Sequence, residues 1–199
     1  MSRHPSLSDD AILDAARRLF VEHGASLPVQ TIADDVGLSE AAIYKRFATK
    51  SALMRRALAP PRNPAFLDVL DAGPDSRSLE AQLLELLHLV YGYFRTMVPQ
   101  VSVLKSAGIP VRDVLDANDP PPLRALAGLT RWFERAIGAG LVGDIDAPTC
   151  AYAIVAFSQH RSFWAHMNLL AASPEEDDRA VRAYVSTLLR GLRPEVAGC

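Results

Sequence analysis

Apolar residues along this chain recur at intervals of three and four positions, the spacing that places them on one face of an α-helix. Near the N-terminus, Ile12 and Phe20 belong to the apolar stripe of a helix predicted over residues 9–23. Ser8 precedes this helix as an N-cap, and Gly24 follows it as a stop signal. Sustained alternation of period two and Asn-Gly or Asp-Gly hairpin turns are missing. The pattern therefore predicts an all-α fold.

Further helices are predicted along the rest of the sequence. Pro60 and Pro61 end the N-terminal group of helices, because proline does not continue a helix interior. The sequence therefore predicts two domains, one over residues 1–59 and one over residues 60–199. In the second domain, helices are predicted over residues 79–98, 123–139, 148–170 and 175–192, with a short helical piece over residues 99–107.

Two short helices separated by a tight turn are predicted between residues 29 and 47. Gly37 supplies the left-handed backbone conformation that the turn requires, and Leu38 fills the corner between the helices. Ser39 caps the second helix, which is predicted over residues 40–47. This spacing is that of a DNA-binding helix-turn-helix, whose second helix enters the major groove. We therefore expect an N-terminal three-helix domain that binds DNA.

Positive charge is concentrated around this segment, although the whole chain has a formal net charge of −2. Residues 41–67 include six basic side chains and no acidic one. Such a block is typical of phosphate binding, but a solvated helix face would have the same composition. Thr49 is predicted to cap a further helix and to place Lys50 at its positive N-terminal end. The candidate phosphate contacts are Tyr44, Lys45, Arg46 and Lys50.

The segment resembles the N-terminal domain of the TetR family of bacterial transcriptional regulators. The resemblance covers residues 8–58, and helix order extends it weakly to the rest of the chain. Three positions depart from the family pattern: Pro28 replaces the usual hydroxyl cap, Ala41 stands where glycine is common, and Arg46 stands where histidine or tyrosine is common. The residues that match the family motif are Val29, Ile32, Ala33, Gly37, Ser39, Tyr44, Phe47, Lys50 and Leu53.

The resemblance implies roles for individual residues. Tyr44 and Lys50 would contact phosphates, with Thr31 and Ser39 as further candidates. Side chains around Glu40, Ala41, Tyr44 and Lys45 would lie near base edges. Two alternatives remain open, in which Tyr44 is a half-buried core ring and Glu40 is an acid favoured by the helix dipole. The predicted DNA-binding residues are Thr31, Ser39, Glu40, Ala41, Tyr44, Lys45, Arg46 and Lys50.

In this family the C-terminal helical domain binds a small molecule and forms the dimer. We expect the large residues of the helix over 148–170 to face the domain core and its small residues to face a partner helix. In the alternative interpretation, these stripes only close the monomer core. The candidate ligand-binding residues are Tyr91, Phe94, Trp132, Phe157, His160 and Trp164. The candidate dimer interface comprises Ser158, Ser162, Ala165, Leu169, Val181, Val185, Leu188 and Leu192.

The function that the resemblance implies is that of a DNA-binding transcriptional regulator. It would be a homodimeric repressor that a small apolar effector releases from a palindromic double-stranded DNA operator. The alternatives are a regulator without small-molecule control and an all-helical carrier protein. The sequence has no Gly-x-Ser-x-Gly, no His-Glu-x-x-His and no phosphate-binding glycine loop, so we expect no enzymatic activity.

Composition adds further expectations. The two cysteines form neither a disulfide framework nor a metal cluster, so no metal and no cofactor are expected. No apolar run approaches the ~20 residues of a membrane span, so no membrane partner is expected. The N-terminus lacks the hydrophobic region of a secretory signal. These features favour a cytoplasmic protein.

Overall fold

The structure is a computed structural model that describes residues 7–115 and 119–192. Within these two ranges the regular structure is entirely helical, which confirms the predicted all-α class. No helix among the described residues combines the length and the hydropathy that a membrane crossing requires. The α-helices are α1 (Asp9–His23), α2 (Val29–Asp35), α3 (Glu40–Phe47), α4 (Lys50–Ala57), α5 (Phe66–Ala72), α6 (Leu79–Ser106), α7 (Pro121–Gly138), α8 (Ala147–His166) and α9 (Pro174–Leu192), with a 3₁₀ turn at Val111–Asp113.

Contacts between residues divide the chain into two compact units. The N-terminal unit comprises Met1–Pro61 and Pro99–Ala117, and the C-terminal unit comprises Arg62–Val98 and Asn118–Cys199. Leu104 explains why the later segment joins the N-terminal unit, because its fully buried side chain belongs to the core around α1–α4. The predicted domain boundary between residues 59 and 60 stays a prediction. The contacts add a second segment, Pro99–Ala117, to the N-terminal unit.

Two elements differ from the sequence-based prediction. Helix α6 continues through Pro99, where the sequence predicted an end and a separate short piece. A proline inside a helix removes one backbone hydrogen bond, but this helix is continuous over 28 residues. Helix α5 was not predicted, because its seven residues are fewer than a periodicity window needs and Ala65 provides no side-chain cap. Burial of Phe66 and Leu70 stabilises it instead.

Helix α5 packs closely against α7 in the C-terminal unit. A Cβ atom at Gly128 would lie 2.8 Å from Cδ1 of Leu70, so a larger residue there would require the Leu70 side chain to shift. The Arg135 guanidinium donates hydrogen bonds to the backbone carbonyls of Leu70 and Asp71, the latter at 3.0 Å. These carbonyls lack helical partners at the end of α5, so Arg135 caps the helix.

A buried carboxylate connects three helices of the C-terminal unit. Asp177 of α9 is 5% exposed and accepts a hydrogen bond from the Tyr91 hydroxyl of α6 at 2.6 Å. Two guanidinium groups donate to the same carboxylate, from Arg95 at 2.5 Å and from Arg161 of α8 at 2.9 Å. Burial, reinforced by the hydrogen bond to Asp177, raises the pKa of the Tyr91 phenol to about 12, so Tyr91 stays a donor at neutral pH. The carboxylate thus joins α9 to α6 and α8.

Replacement of Asp177 by asparagine should destabilise the C-terminal unit. The change leaves Arg161, whose side chain is 15% exposed, without its anion, and we expect a loss of about 3 kcal/mol in the free energy of unfolding. The matched control is Asp178→Asn, since the adjacent carboxylate pairs with Arg182 and His88 at the surface, where all three side chains are exposed to solvent. Urea denaturation should show a large effect for Asp177→Asn and a small one for Asp178→Asn. Equal effects would contradict the structural role of Asp177.

Candidate nucleic-acid interface

The turn between α2 and α3 has the predicted geometry. Gly37 has a φ of +67°, in the left-handed region that favours glycine. The backbone N–H of Leu38 donates to the carbonyl of Ala33 at 2.9 Å, which closes the turn. Ala33 itself is fully buried, so its small side chain lets the two helices approach. Helices α2 and α3 therefore form the helix-turn-helix that the sequence predicted.

Helix α3 is oriented by two apolar side chains. Ile43 and Phe47 are four positions apart and are 0% and 3% exposed, so one face of α3 is fixed in the core of the N-terminal unit. At the other end of the helix, Ser39 Oγ accepts a hydrogen bond from the Ala42 N–H at 3.2 Å and caps α3 as predicted. The remaining circumference of α3 is left for solvent or for a partner.

The exposed face of α3 presents several of the predicted DNA-binding residues. Ala41, Tyr44 and Lys45 are all exposed, and the Tyr44 side chain is at the surface with 37% exposure. Thr31 of α2 and Ser39 are exposed as well. Part of the hydrogen-bonding capacity of Ser39 is used in the cap. This face combines an aromatic hydroxyl, a cation and a small residue, which are groups suited to the major groove.

Glu40 and Lys50 occupy the first turns of two helices. Glu40 is half-buried at the start of α3, a position that fits both the dipole interpretation and a base contact. Lys50 begins α4, and Thr49 caps that helix by accepting a hydrogen bond from Ala52 N–H at 3.0 Å. The Lys50 ammonium lies 5.9 Å above the buried ring of Phe20. Lys50 thus has the helix-terminal position that was predicted for a phosphate contact.

Arg46 differs from the expectation of a free phosphate contact. Its Nη1 donates to the Leu7 carbonyl at 2.5 Å and lies 3.4 Å from Asp9 Oδ1. The Arg46 side chain is only 28% exposed. The sequence pattern could not show this arrangement, because the partners lie 37 and 39 positions earlier in the chain.

The six candidate ligand-binding residues differ widely in their burial. Three are core residues, since Tyr91, Phe94 and Trp132 are at most 4% exposed. Phe157 is half-buried and stacks on Tyr184, with ring centroids 4.2 Å apart. A groove of about 770 Å³ between α7 and α8 includes none of the six; it is lined by Leu123, Leu126, Ala127, Thr130, Arg131, Glu134, Pro148, Thr149 and Tyr152. Their grouping as an effector site therefore stays a prediction.

His160 and Trp164 lie on the outside of α8 rather than in the core. Both are exposed, their ring centroids are 5.0 Å apart, and Phe163 and Met167 beside them are exposed too. The predicted orientation of α8, with its large residues inward, is therefore wrong. No group of His, Cys, Asp or Glu residues suited to a metal ion occurs in the described parts of the chain.

The small face of α8 is buried within its own unit. Ser158 and Ser162 are 0% and 2% exposed, although the sequence placed both at a dimer interface. Each hydroxyl donates to a backbone carbonyl of α8 at 2.8 Å, from Ser158 to Ile154 and from Ser162 to Ser158. Because these bonds satisfy the hydroxyl groups, the small side chains can lie in the core. The two serines are therefore corrected from interface residues to core residues.

The other candidate interface residues have mixed positions. Val181 and Val185 of α9 are 0% and 1% exposed, so they close the core of the C-terminal unit as the alternative interpretation expected. Ala165 and Leu188 are half-buried. Leu169 is 69% exposed and lies beyond the end of α8. The side chain of Leu192 lies outside the described residues.

Comparison with known proteins finds a family match in the N-terminal region. The sequence model of the family described as "Bacterial regulatory proteins, tetR family" matches residues 12–57, which include most of α1 and all of α2–α4. A search of curated protein sequences gave no match.

Solved structures resemble nearly the whole chain. The regulator PfmR from Thermus thermophilus, of the TetR family, is 22% identical with a TM-score of 0.62, over 92% of this chain and 98% of that chain. GusR of Salmonella enterica is 21% identical with a TM-score of 0.59, over 94% of this chain and 100% of that chain. A gamma-butyrolactone receptor described as ArpA-like is 23% identical with a TM-score of 0.61, over 94% and 88%. At these identities the likeness shows a shared fold.

Lys50→Ala tests the phosphate role of the α4 N-terminus. Loss of this cation should weaken binding to all DNA sequences alike, because phosphates carry no sequence information. The slope of log affinity against log salt should become smaller by about 0.9 for the lost contact. Lys45→Ala is the comparison variant, since Lys45 lies on the exposed face of α3 and is expected to change base preference. An altered base preference for Lys50→Ala with an unchanged salt slope would contradict the assignment.

Proposed function

We propose that this chain is a homodimeric repressor of the TetR family of bacterial transcriptional regulators, whose sequence model matches residues 12–57. It binds a palindromic double-stranded DNA operator in the cytoplasm and releases the operator when a small apolar molecule binds. The observation that carries this proposal is the orientation of α3. Ile43 and Phe47 fix one face in the core, so Ala41, Tyr44 and Lys45 are presented on the other. Enzymatic activity is not part of the proposal.

Selection of bound duplexes from a random library tests the DNA-reading function. A two-fold dimer places its recognition helices ~34–36 Å apart or at a multiple of that distance, so the recovered site should have two matched, inverted half-sites. Wild-type protein should bind this site far more tightly than a duplex of scrambled sequence. Recovery of single, asymmetric half-sites only, or of no sequence preference, would contradict a dimeric reader.

The exposed apolar face of α8 supports dimer formation. Phe163, Trp164 and Met167 are 45%, 42% and 52% exposed, and they are neighbours on one helix with His160 beside them. A soluble protein rarely leaves such a cluster in water, and large aromatic side chains and methionine are enriched where two proteins meet. We therefore place the dimer contact on this face of α8, in place of the buried Ser158 face.

Phe163→Arg should produce a folded monomer. The side chain is already 45% exposed in the protomer, so the substitution does not disturb the core. In a dimer it would bring a guanidinium group into an apolar contact, which is strongly unfavourable. The matched control is Leu123→Arg on α7, because Leu123 is 61% exposed and lies outside the cluster. Analytical ultracentrifugation should show a monomer for Phe163→Arg only, with loss of operator affinity. A dimeric Phe163→Arg protein would contradict this interface.

Control by a small molecule is supported by the composition of the C-terminal unit and by structural likeness. The unit has aromatic residues on several helices, and one similar structure is named for a gamma-butyrolactone ligand. Allosteric coupling of ~1–3 kcal/mol would change operator affinity about 5- to 150-fold. The alternative is a regulator whose DNA binding no small molecule changes. A carrier protein is less well supported, because a carrier does not require the exposed α3 face.

Operator release and tryptophan emission together separate these alternatives. Trp132 is 1% exposed and Trp164 is 42% exposed, so a compound that enters the core should alter the emission of Trp132. The variant Trp164→Phe isolates that signal, and gamma-butyrolactones are the first compounds to test. A compound that binds and lowers operator affinity supports the repressor with an effector. Compounds that change the emission and leave operator affinity unchanged favour the regulator without small-molecule control.

A further inference from the structure

We propose that Arg46 and Asp9 form a positioning contact that fixes the recognition helix α3 for sequence-specific binding, and that Arg46 is not a phosphate contact. The inference rests on the proposed function, because it concerns how the same helix reads DNA. It assigns a role to an acidic side chain inside a DNA-binding unit, where a negative charge would ordinarily weaken binding to a polyanion.

Arg46 connects the last turn of α3 to the residues that begin α1. Its Nη1 donates to the Leu7 carbonyl at 2.5 Å and lies 3.4 Å from Asp9 Oδ1. The first helical hydrogen bond of α1 is accepted by the Ser8 carbonyl, so the preceding Leu7 carbonyl is available to the guanidinium. The Leu7 side chain also packs against the core of the N-terminal unit, which holds the acceptor in place.

Asp9 extends the connection to α4. Its second oxygen, Oδ2, lies 3.4 Å from Arg56 Nη2, and the Arg56 guanidinium lies 4.8 Å above the ring of Phe47. Phe47 is the last residue of α3. The Asp9 carboxylate therefore lies between an arginine of α3 and an arginine of α4. It joins the start of α1 to the ends of α3 and α4.

The position of this contact determines what its loss should do. Exposed residues of α3 read bases only if the helix is held at a defined angle, whereas non-specific affinity depends on phosphate charge. The contact is partly solvated, with Asp9 44% and Arg46 28% exposed. Loss of a solvated ion pair of this kind should change the binding affinity about two- to fivefold. The loss should therefore appear in the operator affinity and not in the affinity for unrelated DNA.

The Asp9→Asn variant separates two roles for Asp9. A positioning contact predicts weaker operator binding by this variant, and an ordinary surface acid predicts tighter binding. If Asp9 were an ordinary surface acid, removal of its charge would raise DNA affinity and would free two arginines for phosphates. Asp10→Asn is the matched control, because Asp10 is the next residue in the same helical turn and is exposed. None of the described residues forms an ion pair with Asp10. Both variants therefore change the charge and the helix terminus equally, and only one removes the contact.

The affinities of wild type, Asp9→Asn and Asp10→Asn are measured by fluorescence anisotropy against the selected operator and against a scrambled duplex, over a series of salt concentrations. We expect Asp9→Asn to bind the operator about two- to fivefold more weakly than Asp10→Asn. The two variants should bind the scrambled duplex equally and should have equal salt slopes. Operator binding by Asp9→Asn that equals or exceeds that of Asp10→Asn would overturn the proposal.

Arg46→Lys provides a second test that is independent of the charge of Asp9. A lysine keeps the positive charge and would preserve a phosphate contact, but its ammonium ends one bond short of the Nη1 position from which Arg46 contacts both the Leu7 carbonyl and Asp9. The positioning role predicts that Arg46→Lys loses as much operator affinity as Asp9→Asn, and that the double variant loses little more. Retained affinity with an unchanged salt slope would show a phosphate contact and overturn the proposal. A wild-type chain that bound no duplex would instead overturn the proposed function, and this inference with it.

Discussion

The burial of Ile43 and Phe47 in the N-terminal unit is the constraint on which the DNA-reading surface depends. With both side chains fixed in the core, α3 cannot rotate about its axis, and Tyr44 and Lys45 between them face outward. The left-handed Gly37 and the closely packed Ala33 set the angle at which α3 leaves α2. A short helix of eight residues would not hold such an orientation by itself, because short isolated helices are marginal in water.

The C-terminal unit uses a different kind of constraint. Ser158 and Ser162 bury the small face of α8, and the carboxylate of Asp177 holds α9 to α6 and α8 through hydrogen-bonded arginines. As a consequence the large side chains of α8, such as Trp164, point away from the core. The same packing that closes the protomer therefore creates an apolar surface for a second copy in the proposed dimer.

The sequence predicted the helices of the N-terminal unit well, because their caps and turn residues are neighbours in the sequence. The bounds of α1 and α3 and the caps Ser8 and Ser39 follow from the sequence and are confirmed. Helix α8 shows the opposite case, since apolar residues occur around its whole circumference and periodicity cannot tell which face is inward. The partners of Asp177 and Arg46 lie far away in sequence, so only the tertiary structure shows that these charges are paired. The residues of the effector site remain predictions.

Directed cleavage of operator DNA would show whether α3 of each protomer lies in the major groove of a half-site. In a chain with both cysteines replaced by serine, Ala41→Cys would carry a tethered iron–EDTA cleavage reagent on the exposed face of α3. A dimer that reads DNA with α3 should cleave at two positions related by the two-fold axis of the operator, each centred in a half-site. A single cleavage position, or cleavage spread evenly along the duplex, would contradict a dimer that reads DNA with α3.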